Sequence, residues 1–129
     1  PMMPWTPSAY GYLSGLETSN AMSFDNPTSR RRRERARELA GQKGCTPLQI
    51  GLAYLRSYEF PVFPILGTMN PEHLAESLGA DAVELTAAER DWLVAQANRK
   101  QAGCCRLVLV TLLYSASERE EQALAGRVR

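Results

Sequence analysis

Long apolar runs are missing from this chain of 129 residues: the longest, Leu107 to Tyr114, is broken by Thr111 and falls far short of the ~20 residues a membrane span needs. No basic segment followed by an apolar stretch and a small-residue cleavage site opens the sequence, so a soluble, non-exported protein is expected. Cysteine is scarce. Cys45 and the adjacent pair Cys104 and Cys105 form neither an even secretory framework nor a C-x-x-C metal or redox spacing, which fits a reducing cytoplasm. There is a single histidine, and no G-x-S-x-G, H-E-x-x-H or carboxylate-rich calcium loop, so hydrolase and metal chemistry find no candidate residues. Gly11-x-x-x-Gly15 is neither a Walker nor a G-x-G-x-x-G fingerprint.

Charge of one sign is also lacking. The formal net charge is +1, which excludes a chain that seeks polyanions as a whole. By segment, residues 1–97 hold 9 Lys/Arg against 11 Asp/Glu, and residues 98–129 hold 6 against 3, so the basic part is the tail. Arg30 to Arg37 contains six arginines. Clustered guanidinium groups can neutralise phosphates, but Glu34 and Glu38 lie among them at helical spacing and no aromatic interrupts the run. We therefore read a solvated helix face rather than a nucleic-acid contact.

The start signals are clear. Asn26-Pro27 caps a helix over Thr28 to Ala40, ending near Gly41 or Gly44. Thr46, Pro47 and Gln49 open a second helix with an apolar stripe of Leu48, Leu52 and Leu55, widened by Ile50 and Tyr54. Asn70-Pro71 opens a short helix to Gly79, and Thr86 with Glu89 opens another to about Asn98. Between them Phe60 to Leu66 is a continuous apolar run, expected to be a strand buried on both faces, with its prolines arguing against full pairing in its first half. Residues 1 to 24 read as a short strand and a loop. Strands alternating with helices point to α/β architecture with parallel pairing. Beyond Asn98, Leu107 to Leu113 reads as a strand and Ser117 to Val128 as a charged helix. The expected organisation is one unit over 1–97 and an unmatched basic tail over 98–129.

The segment from Pro64 to Ser77 carries the most chemistry. A helix N-terminus directly after a buried strand offers free amides and a favourable dipole, so phosphate is the obvious guest. His73 in the first turn is placed to meet a second phosphate, and Glu76 and Ser77 to bond an adenine edge.

Four motifs in order, Thr46-Pro-x-Gln-Ile-x-Leu-Ala-Tyr-Leu55, Pro61-Val-Phe-Pro-Ile-Leu-Gly-Thr68, Asn70-Pro-Glu-His-Leu-Ala-Glu-Ser77 and Glu84-Leu-Thr-Ala-Ala-Glu-Arg90, resemble the C-terminal part of the aldo-keto reductases. Trp5-Thr-Pro-Ser-Ala-Tyr-Gly-Tyr-Leu-Ser-Gly15 is similar to that family's seventh-strand signature, and the resemblance spans about residues 4–96. It implies the C-terminal portion of a (β/α)8 TIM barrel, about strands 7 and 8 with their helices, and NAD(P)H-dependent carbonyl reduction, with NADP(H) ahead of NAD(H). Carried over by position, Trp5 stacks on the nicotinamide, and Thr6 and Ser8 approach the pyrophosphate. Gly67, Thr68 and Met69 line the adenosine ribose and its 2′-phosphate. His73 stands where the family often has arginine, Glu76 accepts from the adenine amine, and Ser77 stands where asparagine is common. The family's Asp, Tyr, Lys and His tetrad comes from the first half of the barrel and has no counterpart here. A whole barrel takes ~250 residues. The resemblance therefore implies a fragment without catalytic residues of its own, inactive as an isolated chain, which binds nicotinamide nucleotide and either meets a complementing barrel half or self-associates. The alternative reading is a non-enzymatic interaction module that associates through exposed strand edges.

Overall fold

The computed structural model of the chain describes residues 1–95. Their element order is α1 (Ser19–Met22), α2 (Pro27–Lys43), α3 (Pro47–Arg56), α4 (Pro71–Leu78), a 3₁₀ turn (Gly79–Ala82) and α5 (Ala87–Val94). The expected tail strand at Leu107 to Leu113 and tail helix at Ser117 to Val128 lie outside the described residues, and the last helix, expected to reach about Asn98, ends at Val94, where the Ala95 backbone leaves the helical conformation. Among the described residues no helix is long and apolar enough to cross a membrane.

Local chemistry sets the helix starts. The Asn26 side chain accepts the Ser29 amide at 2.9 Å, and α2 ends at Gly44, whose φ of 66° is the left-handed conformation that glycine adopts without Cβ strain. At α3 the Thr46 hydroxyl accepts the Gln49 amide while the Gln49 side chain accepts the Thr46 amide, and Thr86 with Glu89 does the same at α5. Two short elements carry no such clear signal in the sequence. α1 is a single turn capped by Thr18, and the 3₁₀ turn forms because Gly79 stays right-handed and lets the chain continue past α4.

α3 is the centre of the structure. Every residue from Ile50 to Leu55 is buried. Ile50 and Tyr54 pack with Ala36, Leu39 and Ala40 of α2 and Leu93 of α5. Leu48, Leu52 and Leu55 pack with Ala80, and against them lie Val62 and Leu66. Gly51 is required here, since a Cβ at that position would sit 2.6 Å from Leu13 Cδ1. Two polar side chains tie α3 to α4 and the 3₁₀ turn: Gln49 Nε2 donates to the Glu76 carbonyl at 2.8 Å and Arg56 Nη1 to the Ala80 carbonyl at 3.0 Å.

The expected portion of an α/β barrel is not what forms. Among the described residues there is no sheet, and β pairing is limited to two isolated parallel bridges, Met2 with Val62 and Trp5 with Ile65. They are made by the Met2 amide to the Pro61 carbonyl, the Phe63 amide to Met2 and the Ile65 amide to Pro4. Proline is the physical reason. Pro4 accepts from Ile65 but has no amide to give back toward Phe63, and Pro7 has none with which to extend the pairing, so the ladder is interrupted on the 1–6 side. The run from Phe60 to Leu66 is also not buried on both faces: Val62 and Leu66 turn onto α3, whereas Phe63 is 58% exposed and Phe60 and Ile65 are exposed with it.

The arginine run is only in part the solvated face expected: Arg30, Arg31 and Arg37 are exposed, as are Glu34 and Glu38, but other members pack against neighbouring segments. Arg30 pairs with Asp25, Arg32 is buried between α2 and α3, Arg33 covers the Tyr12 ring at 4.5 Å, and Arg35 stacks over Trp92. Four of these side chains thus bind the loop before α2, α3 and α5 to the helix.

Stability should reflect both the core and the caps. Ile50→Ala, which empties a fully buried site, is expected to cost about 3 kcal/mol, against about 1 kcal/mol for Thr46→Ala, both measured by urea unfolding. Asp25, held by Arg30 and then by Tyr12, has its carboxyl lowered from 3.8 to about 2, and Glu89, held by Lys43 and the Thr86 amide, is lowered from 4.5. Both contribute stability that is complete above about pH 4.5 and is lost as pH falls through their folded values. Asp25→Asn with Glu89→Gln should flatten the fall in urea midpoint between about pH 4.5 and about pH 2.5.

Candidate functional site

A cleft of about 530 Å³ lies between the loop at residues 6–16, the segment 65–68 and the first turns of α4, with Leu48 of α3 beneath it. This volume lies in the range of small-molecule sites. The cleft brings together Trp5, Thr6, Ser8, Gly67, Thr68, His73, Glu76 and Ser77, all the site residues expected from the sequence except Met69. Met69 stands fully exposed beside the cleft.

Each wall has a local cause. Trp5 is fixed in the backbone by its bridge to Ile65, while its ring is 72% exposed at the mouth. The loop that follows is tightly wound: Thr6, Ala9 and Tyr10 have φ of 57°, 51° and 53°, and Gly11 has 84°. A left-handed threonine is a steric outlier for a β-branched residue. At the far wall Gly67 faces open space, with nothing within 4 Å of the position a Cβ would take.

The start of α4 is less open than a bare helix end. Pro71 has no amide hydrogen, the Glu72 amide is taken by Asn70 Oδ1 at 2.9 Å, and the Asn70 amide by Thr68 Oγ1 at 3.2 Å. The His73 amide is left as the first-turn donor. Ser77 is buried and spends its hydroxyl hydrogen on the His73 carbonyl at 2.8 Å, so toward a ligand its oxygen can only accept. Glu76 is anchored through its backbone carbonyl to Gln49. Its carboxylate has no ion-pair partner among the described residues and is free to accept. No lysine or arginine lines the cleft among the described residues. Polar recognition there rests on hydroxyls, one imidazole, one carboxylate and backbone amides.

Residues 1–96 match the aldo/keto reductase family. The chain belongs to that family. Its members generally use NAD(P)H. Sequence reasoning missed several lining residues, including Gly11, Ser14 and Leu16 of the loop and Leu48 of α3, and favoured packing over a ligand-facing role for Tyr10, which also lines the cleft. The sequence signal on offer was the glycine pair Gly11 and Gly15; in the structure the positive φ of Gly11 and a Leu16 Cδ1 atom 2.3 Å from any added Cβ mark a turn that only glycine fits.

Gly11→Ala should therefore destabilise the protein by about 2 kcal/mol, while Gly67→Ala should change stability by less than about 0.5 kcal/mol. Thermal unfolding followed by far-UV circular dichroism checks both.

Proposed function

We propose that residues 1–95 form the nicotinamide-nucleotide-binding part of an NAD(P)H-dependent carbonyl oxidoreductase. The observation that carries this reading is the convergence of Trp5, Thr6, Ser8, Gly67, Thr68, His73, Glu76 and Ser77, drawn from two segments some sixty residues apart, on one cleft. The residues suit the ligand. The exposed Trp5 ring offers a stacking face for the nicotinamide. Thr6 and Ser8 offer hydroxyl donors to a pyrophosphate, and the space beside Gly67 lets a ribose approach the backbone. The Glu76 carboxylate accepts from an adenine amine, and Ser77 accepts beside it. When bound, the nucleotide supplies the hydride; the groups named here hold and orient it, and none of them is assigned a proton-transfer role.

We propose NADP(H) ahead of NAD(H), with Thr68, the His73 imidazole and the His73 amide as the groups available to a 2′-phosphate. With no guanidinium on the lining among the described residues, the charged bidentate contact that strengthens such recognition is missing, so discrimination between the two nucleotides is expected to be modest. A reducing cytoplasm is the proposed setting, on the cysteine spacing alone.

A second reading is supported by a different observation. Met3, Phe60 and Phe63 are exposed on or beside the two bridged segments. Such an apolar face supports a non-enzymatic module that associates with a second copy.

Titration with NADPH and, in parallel, NADH, read by tryptophan fluorescence and by calorimetry, tests the first reading. Saturable binding is expected, weakened about tenfold by Glu76→Ala and by Trp5→Ala, with Gly67→Ala weakening binding at unchanged stability. A folded chain that binds neither nucleotide and sediments as a concentration-dependent oligomer would instead support the second.

A further inference from the structure

The loop wall of the cleft is wound in an unfavourable way, and something must hold it. Non-glycine residues in the left-handed region cost of order 1–3 kcal/mol each and persist only where surrounding structure over-determines them. Thr6, Ala9 and Tyr10 are all in that region, and Thr6 and Tyr10 line the cleft. Turn hydrogen bonds alone, such as the Ala9 amide to Thr6 and the Gly11 amide to Ser8, define the winding but do not attach it to the helices.

The attachment is Tyr12. It comes two residues after the left-handed Tyr10, and its side chain is fully buried with Ala9, Ala21 and Phe24. Its hydroxyl donates to Asp25 Oδ1 at 2.8 Å. Asp25 is held in turn by Arg30, whose Nε donates to the same carboxylate at 2.9 Å, and the Arg33 guanidinium covers the phenol ring, 4.5 Å from its centroid. Arg37 lies against Gly15, where an added Cβ would come within 2.8 Å of its Nη2. The loop is therefore fastened to α2 through one aromatic ring, one carboxylate and a row of arginines that do not line the cleft.

We infer that Tyr12 is a positioning residue for the cleft: clamped by Asp25 and Arg33, it fixes the Thr6–Gly11 backbone and thereby sets the affinity for the nucleotide, an inference that rests on the nucleotide-binding reading above. Tyr12 does not line the cleft, so its effect must pass through the loop. The clamp is set across ordinary pH, since burial and then the Asp25 hydrogen bond push the Tyr12 phenol up to about 12 while Asp25 ionises near 2.

The test compares Tyr12→Phe, Asp25→Ala and Asp25→Asn in a Trp92→Phe background, where Trp5 is the one tryptophan. Nucleotide affinity is measured by calorimetry well below each variant's melting temperature, and acrylamide quenching of Trp5 reports the start of the loop. Tyr12→Phe and Asp25→Ala are each expected to weaken binding about tenfold and to change Trp5 quenching. Their double variant should bind no more weakly than either alone. Asp25→Asn keeps an acceptor for the hydroxyl and should restore affinity to within about twofold, although it loses the same charge as Asp25→Ala. Wild-type affinity in Tyr12→Phe and Asp25→Ala would overturn the inference and leave the nucleotide reading intact. So would Asn behaving like Ala, which marks a stability effect of the lost charge. Should Tyr12→Phe fail to fold, the Ala and Asn pair at Asp25 decides by the same criterion. A wild-type chain that binds neither nucleotide overturns the reading and the inference together.

Discussion

Burial of α3 on every side is the constraint on which the rest of this structure depends. A ten-residue helix with only one apolar stripe could lie on a surface, but Ile50 to Leu55 leaves no face for water, so segments must cover it all round. α2 and α5 cover the side of Ile50 and Tyr54. The 3₁₀ turn and the segment after Tyr58 cover the side of Leu48, Leu52 and Leu55, and Leu13 closes over Gly51. Each covering segment is thereby fixed relative to the others, and the cleft is the gap between two of them, the loop carrying Leu13 and the segment ending at Gly67. Side-chain ties from α3, Gln49 to Glu76 and Arg56 to Ala80, set where α4 runs along that gap.

The arginine-rich helix acquires its meaning from the same packing. In sequence it is the most conspicuous feature of the chain, and its charge suggests a solvent-facing role. In the structure two of the guanidinium groups cover aromatic rings, Arg33 that of Tyr12 in the loop and Arg35 that of Trp92 in α5, while Arg31 and Arg37 stay exposed. Arginine suits this task because its planar, weakly hydrated head can stack and donate at once, as Arg35 does to Trp92 and to the Ala95 carbonyl.

Much of the candidate site was legible because its residues lie in two short, well-punctuated stretches. Asn70-Pro71 fixes the start of α4, and with the start fixed, His73, Glu76 and Ser77 fall at helical spacing toward one side. Trp5, Thr6 and Ser8 were legible through likeness to a known signature rather than through any periodicity of their own. The wall made by Tyr10, Gly11, Ser14 and Leu16 was not, because a left-handed turn with two non-glycine members in succession has no propensity signal. Met69 shows the converse: the same likeness carried it over with Gly67 and Thr68, yet it stands fully exposed in the turn before Asn70 and does not line the cleft.

The sequence by itself determined where the four longer helices start, since the caps Asn26, Thr46, Asn70 and Thr86 act on amides two or three residues away and need nothing distant to be in place. It did not determine how residues 1–6 and 60–68 meet. An apolar, β-branched composition suggested strands, but a parallel ladder depends on amide donors in register across sixty residues, and with Pro4 at a paired position two bridges are what forms. Only the tertiary structure decided that arginines of α2 cover rings and carboxylates of other segments and that a strained loop is fastened by Tyr12. Those outcomes depend on which groups packing brings beside α2, a relation between segments that no local pattern encodes.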